Sequence, residues 1–307
     1  MLKLLLASCL MHAACGLAPA RQPLPASLAR LRGGAVQAVS SAKLPGENYH
    51  ALAEKGAANA NLPLGKALHQ AFMAGMYVAI GGIFAYTVAG ALSVGPELQR
   101  LVIGLIFPIG LIFILQAGGM LLTGNFLVCT AAWLEGKITL EQMFRAFGIA
   151  LLGNTLGCTT ISLLIKEAGL LTGGMAALAK ATALKKTSFA LVPTLIKAVL
   201  CNWLVCLAVF LASSCSDMTG KVAAIWSCIP MFVTIGLEHS VANIFFLPLG
   251  KMAGADLSYA TILAKNILIV TFGNLLGGGG IVAAGMSYQF GKLGEKAAPA
   301  PPAAVGA

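Results

Sequence analysis

Charge is scarce in this sequence. Only 10% of its 307 residues are charged while 58% are hydrophobic, whereas a soluble domain carries about a quarter charged residues. A soluble core of this size cannot enclose so much apolar surface, so the composition defines a multi-pass membrane protein with the lipid bilayer as its main partner. Acid is scarcer still: Asp and Glu number 10 against 20 Lys and Arg, and none precedes Glu47. The net charge of +10 does not mark a nucleic-acid partner. Lys3, Arg21, Arg30, Arg32 and Lys43 supply half of it, and the rest is spread thinly between apolar runs. None of the 8 cysteines forms a Cys-x-x-Cys pair; those beyond Cys9 and Cys15 lie in or next to apolar runs and read as small buried hydrophobes. His-Glu-x-x-His and His-x-x-x-His spacings are missing, and apart from His69 only His239 lies in the apolar body. No metal site and no cofactor are therefore expected. Ser240 beside His239 is not a nucleophile arrangement, because sequence neighbours do not face each other, which argues against an enzyme.

The ends stand apart from the body. Residues 1–20 have a lysine, a short apolar stretch and then small residues, as secretory signals do; RQPLPASLARLRGGAVQAVSSAK follows, arginine-bearing, rich in serine and alanine and free of acid. A signal followed by a transit-like segment resembles the two-part leaders of plastid proteins in secondary algae. Leu17 stands where such leaders usually carry an aromatic residue. Residues 1–45 are accordingly set aside as a leader, with the plastid envelope as the expected location and the plasma membrane as the alternative. The tail over 289–307, ending KAAPAPPAAVGA, is low in complexity and expected to be disordered.

Six apolar segments fill the body, over about 70–94, 101–133, 144–165, 189–212, 222–250 and 261–286. Each can cross roughly 30 Å of hydrocarbon as a helix. The second and fifth are longer than one crossing needs, and both are interrupted, by GGMLLTGN (118–125) and GLEHSVAN (236–243). Backbone that leaves the helix in mid-membrane is tolerated only where it lines a cavity or is packed in protein. About thirty residues after each break stands a Gly-Asn-x-Leu-Gly motif, GNTLG at 153–157 and GNLLG at 273–277. Three helices with the second broken therefore occur twice, over about 66–165 and 189–288. Three is odd, so the second copy is inverted, and such repeats place a solute site where the two breaks meet.

AFMAGMYVAIGG (71–82), LLTGN (121–125), KAVLCNWLVCLAVFLA (197–212), GLEHSVANIFFLPLG (236–250) and FGNLLGG (272–278) together resemble the formate/nitrite transporter family. The resemblance covers about residues 65–287 and implies an all-α, aquaporin-like protomer of six transmembrane helices, a pore in each protomer and a homopentamer. It implies transport of small monovalent weak-acid anions, nitrite or formate. It places His239 at the central pore, faced by Thr123, with Lys186 in the vestibule and Asn202 and Asn274 as pore amides. Phe107, Leu111 and Phe232 fall at one apolar constriction, and Leu121, Leu122 and Val205 at the other. Glu238 matches an acid outside the pore that pairs with a basic residue near the first helix, for which Lys66 is the candidate.

A bare anion in a dry slit loses its hydration at a cost of several kcal/mol. Transient protonation between the constrictions avoids most of that cost, and imidazole is the side chain suited to lend and reclaim a proton there. Lys186, with Lys180 and Lys185, would gather anions at one mouth, while Lys197 and Lys265 are expected to snorkel. The loop 166–188 reads equally as an anion-collecting mouth or a solvated linker. A neutral-solute channel of the aquaporin type shares the architecture, but its paired Asn-Pro-Ala motifs are replaced here by Thr-Gly-Asn and Val-Ala-Asn.

Overall fold

The computed structural model describes residues 42–297. The expected leader lies almost wholly outside them, as does the end of the tail. The described chain is helical throughout: α1 (Pro45–Ala60), α2 (Leu64–Gly90), α3 (Pro96–Gly118), α4 (Leu122–Leu134), α5 (Leu140–Glu167), α6 (Gly173–Thr187), α7 (Leu191–Ser214), α8 (Met218–Ile235), α9 (Ser240–Met252), α10 (Tyr259–Phe290) and α11 (Lys292–Ala297). Among the described residues α2, α3, α5, α7, α8 and α10 are long and apolar enough to cross a membrane. Local chemistry sets several starts. Thr139 and Gln142 form a reciprocal capping box at α5, Asp217 caps α8 through the Gly220 amide, and Ser258 caps α10 through that of Thr261.

Both interruptions are present. α3 ends at Gly118 and α4 begins at Leu122; α8 ends at Ile235, capped by Gly236, and α9 begins at Ser240. Each first half stops at a glycine in the left-handed region, Gly118 at φ 89° and Gly236 at φ 84°, where a Cβ is costly.

The Gly-Asn-x-Leu-Gly motifs hold these breaks. A Cβ on Gly157 would collide with the Phe72 carbonyl of α2, and one on Gly277 with the Val199 carbonyl of α7. Gly153 and Gly273 are pressed against Ala71 and Ala198 in the same way. Small residues thus let two backbones touch, and the asparagine between them reaches the frayed backbone. Asn154 accepts from the Leu122 amide at 2.9 Å and donates to Met120 O at 2.9 Å and Ala71 O at 2.8 Å. Asn274 accepts from the Ser240 amide at 2.8 Å and donates to Glu238 O at 2.9 Å and Ala198 O at 2.8 Å. The same three bonds are made twice.

Three features differ from expectation. The segment 166–188 contains the helix α6, which packs on α9. Residues 292–297 of the tail are helical as α11 rather than disordered. And α1 precedes the first crossing: Tyr49, Leu52, Ala53, Gly56 and Ala60 are buried, so its apolar side faces the protein, chiefly α4.

At the end of α4, Glu135 ties α1 to the C-terminal helices. Its carboxylate accepts from Tyr49 Oη at 2.7 Å and Ser287 Oγ at 2.8 Å, and Lys292 donates its amide to the carboxylate and its Nζ to the Glu135 carbonyl at 2.7 Å. Burial opposes the charged form, but the hydrogen bonds from Tyr49, Ser287 and the Lys292 backbone outweigh it and hold the carboxyl below its ordinary pKa. Burial pushes the Tyr49 hydroxyl up, so Tyr49 stays a donor.

Candidate functional site

α9 begins with its own histidine. His239 has extended backbone and serves as the N-cap, its Nδ1 accepting the Ala242 amide at 3.0 Å. That bond uses the Nδ1 lone pair, so the neutral ring carries its hydrogen on Nε2. Nε2 lies 3.0 Å from Thr123 Oγ1, on the first turn of α4. The imidazole therefore donates to the threonine, and the hydroxyl hydrogen of Thr123 is left to face another acceptor. The backbone of Thr123 is fixed in turn: Asn202 Nδ2 donates to its carbonyl at 3.2 Å and Cys206 Sγ at 3.6 Å.

His239 borders two cavities. The outer one, about 320 Å³, is lined by Tyr86, Arg100, Phe107, Lys185, Lys186, Lys197, Phe232, Glu238 and His239 among others. The inner one, about 20 Å³, is lined by Val78, Phe107, Gly110, Leu111, Ile114, Leu121, Val205, Ile229, Phe232 and His239. A cavity of the inner size holds about one water. Phe107 and Phe232 face both cavities, with ring centroids 6.5 Å apart and planes at 89°, so they form the wall between vestibule and chamber. Phe232 also stacks on the imidazole, centroids 5.8 Å apart and planes 17° from parallel.

The expected site residues sort as follows. Thr123 meets His239 but is itself fully buried and lines neither cavity, Lys186 lines the vestibule, and Phe107, Leu111, Phe232, Leu121 and Val205 line the chamber. Leu122 does not line it, because the helix restarts at that residue and turns its side chain away from the direction of Leu121. Asn202 and Asn274 line neither cavity. Both are fully buried on backbone carbonyls, Asn202 also donating to Asn274 O at 2.7 Å, because the broken backbone must be satisfied first.

The expected pair of Glu238 with Lys66 is absent. Lys66 is exposed in the first turn of α2, and Glu238 pairs instead with Lys186 Nζ at 2.8 Å. Glu238 is fully buried yet lines the vestibule, and α6 presents Lys186 from its last turn to that same cavity. Asn243 at 2.6 Å and Asn266 at 3.2 Å donate to its second oxygen, which is how a carboxylate is tolerated at this depth. Lys185 also lines the vestibule and Lys180 does not. Lys197, expected to snorkel, is a vestibule residue.

Two half-helices meet at a buried imidazole, with a charged vestibule on one side and an apolar chamber on the other, in a chain whose six long apolar helices make it a polytopic membrane protein. A formate/nitrite transporter family model matches residues 46–288. A probable formate transporter of Methanothermobacter thermautotrophicus is 35% identical over 270 residues, covering 82% of this chain and 98% of that protein. The nitrite transporter NirC of Salmonella typhimurium is 38% identical over 120 residues, 38% of this chain and 44% of that protein. Among solved structures, an FNT family ion channel superposes with a TM-score of 0.74 at 33% identity, covering 79% of this chain and 98% of that one. A pentameric formate channel with formate bound gives 0.66 at 29%, covering 74% and 96%. The chain belongs to the formate/nitrite transporter family. Membership gives the class of activity, membrane transport of small anions.

Proposed function

We propose that the chain passes nitrite or formate through each protomer, with His239 assisting transient protonation of the solute between the constrictions. The contact of His239 Nε2 with Thr123 Oγ1 at 3.0 Å carries this reading. It sets a hydrogen-bond donor where the walls are otherwise apolar. An anion leaving the vestibule gives up water at Phe107 and Phe232 and meets the imidazole of His239, whose Nε2–H, turned from Thr123 Oγ1 to the solute, replaces part of what it loses. The proton comes with the solute, whose neutral fraction rises about tenfold per unit of acidification, or by way of the ring. For the ring to carry it, Nδ1 must exchange the Ala242 amide for a proton. The protomers assemble as homopentamers in a lipid bilayer, as the solved formate channel does; the leader's composition favours a plastid envelope over a plasma membrane.

Formate and nitrite flux into proteoliposomes across an imposed pH gradient tests the proposal. Flux that rises with external acidity supports it. Uptake of water or glycerol that ignores pH, with no anion flux, replaces it with a neutral-solute channel. In His239→Asn, loss of the pH response assigns the proton to the ring, and retention with lower flux assigns it to the solute.

A further inference from the structure

The vestibule's net charge does not rest on its expected lysine. Lys186 is offset by Glu238 at 2.8 Å, and Arg100, at the same cavity, by Glu97 at 3.2 Å. Such pairs present a dipole, whose field at a distance is far weaker than that of a lone charge. Lys185 and Lys197 line this cavity too and make no ion pair among the described residues; Lys185 is exposed in the last turn of α6, whereas Lys197 stands within the apolar α7. An unpaired lysine within a membrane helix is costly and calls for a use. Its ammonium stands 3.5 Å from the centroid of Phe189, a cation–π contact that fixes its position. The Lys197 carbonyl accepts the Glu238 amide at 3.4 Å, so this turn of α7 is fastened directly to the break that carries His239.

We propose that Lys197, braced on Phe189, is an anion-docking position on the vestibule wall for a small carboxylate or nitrogen oxyanion, and sets how readily the vestibule fills before solute meets Phe107 and Phe232. The proposal rests on the anion-transport reading above. An unpaired cation in a cleft focuses its field into the cavity, and besides Phe189 four of the residues lining it, Tyr86, Phe107, Phe232 and Phe246, are aromatic.

The experiment measures initial formate flux against formate concentration in proteoliposomes, at low and high ionic strength. It compares the intact protein with Lys197→Met and Lys197→Arg. Lys197→Met is expected to raise the half-saturating concentration about tenfold, the low end of what a focused charge supplies. It should leave the maximal rate nearly unchanged and flatten the salt dependence, and Lys197→Arg should restore both. If half-saturation and salt response stay as in the intact protein, or only the maximal rate falls, Lys197 merely packs on Phe189 and the proposal is wrong. Lys197→Gln replaces the Met variant if that one does not assemble. An intact protein that carries neither formate nor nitrite overturns the transport reading itself, and is told apart because no variant is involved.

Discussion

The two helix breaks have nearly the same backbone and opposite chemistry. Gly118 and Gly236 end the first halves, Leu122 and Ser240 begin the second, and Asn154 and Asn274 make matching bonds to each. The residues held between differ. Where the first break has Met120 and Leu121, the second has Glu238 and His239, so Leu121 and His239 occupy equivalent places and both face the chamber. Breaking a helix twice is thus a structural device for bringing two chain ends to one point. The second break brings an acid and an imidazole to that point, while the first supplies an apolar wall and, two residues on, the hydroxyl of Thr123.

If the staples are equivalent, removing either costs the same. Asn154→Leu and Asn274→Leu each delete three hydrogen bonds and leave buried amide and carbonyl groups unpaired, at about 1–3 kcal/mol for each group. We expect each variant to lose about 3–6 kcal/mol, enough to impair assembly. Thermal unfolding in detergent would show it, and a loss confined to one variant breaks the equivalence.

Much of this was legible in the sequence because the signals are local. Glycine beside a polar residue inside an apolar run marks a break, and the repeated Gly-Asn-x-Leu-Gly marks its partner helix. Contacts across the fold were not legible. Nothing near Glu238 in the chain names Lys186 over Lys66, since the pairing depends on α6 folding back over α9. The family resemblance places Asn202 and Asn274 among the pore amides, yet both are held by backbone carbonyls of the breaks and their neighbouring helices. The helix α1 was missed although Tyr49, Leu52, Ala53, Gly56 and Ala60 follow helical spacing, because its mixed polarity does not register as a crossing. The N-cap role of His239 could have been found: a residue with a side-chain acceptor directly before the restart is a cap candidate.

Making the second break resemble the first sharpens the functional half of the comparison. His239→Leu puts leucine at both equivalent places. It removes the cap on α9, worth about 1 kcal/mol, and the partner of Thr123. Stability should fall by little more than the cap, while anion flux drops on the order of 10- to 100-fold, as loss of a hydrogen bond to a charged solute implies. Melting temperature and flux measured on one preparation separate the two. A large loss of stability would make His239 chiefly a structural cap.

The smallest effect is expected at the far ends of the second halves, where the breaks' likeness gives out. α4 is capped by Glu135, the centre of the clasp with Tyr49, Ser287 and Lys292, whereas α9 is capped by Ala253, whose methyl does not titrate. Hydrogen bonds hold the Glu135 carboxyl below its ordinary pKa in the folded protein, so its contribution to stability is complete above the unfolded value of about 4.3 and is lost as pH falls through the folded one. Acidification from about pH 6 to about pH 3 should therefore loosen α1 and the end of α10 before it affects α9. Amide hydrogen exchange, corrected for the intrinsic pH dependence, would show faster exchange over Pro45–Ala60 in this window. Glu135→Gln should exchange faster already at neutral pH, because an uncharged amide is a weaker acceptor for Tyr49 and Ser287. Equal acid sensitivity at both ends would mean that carboxylates elsewhere govern the response, and that the clasp is incidental to it.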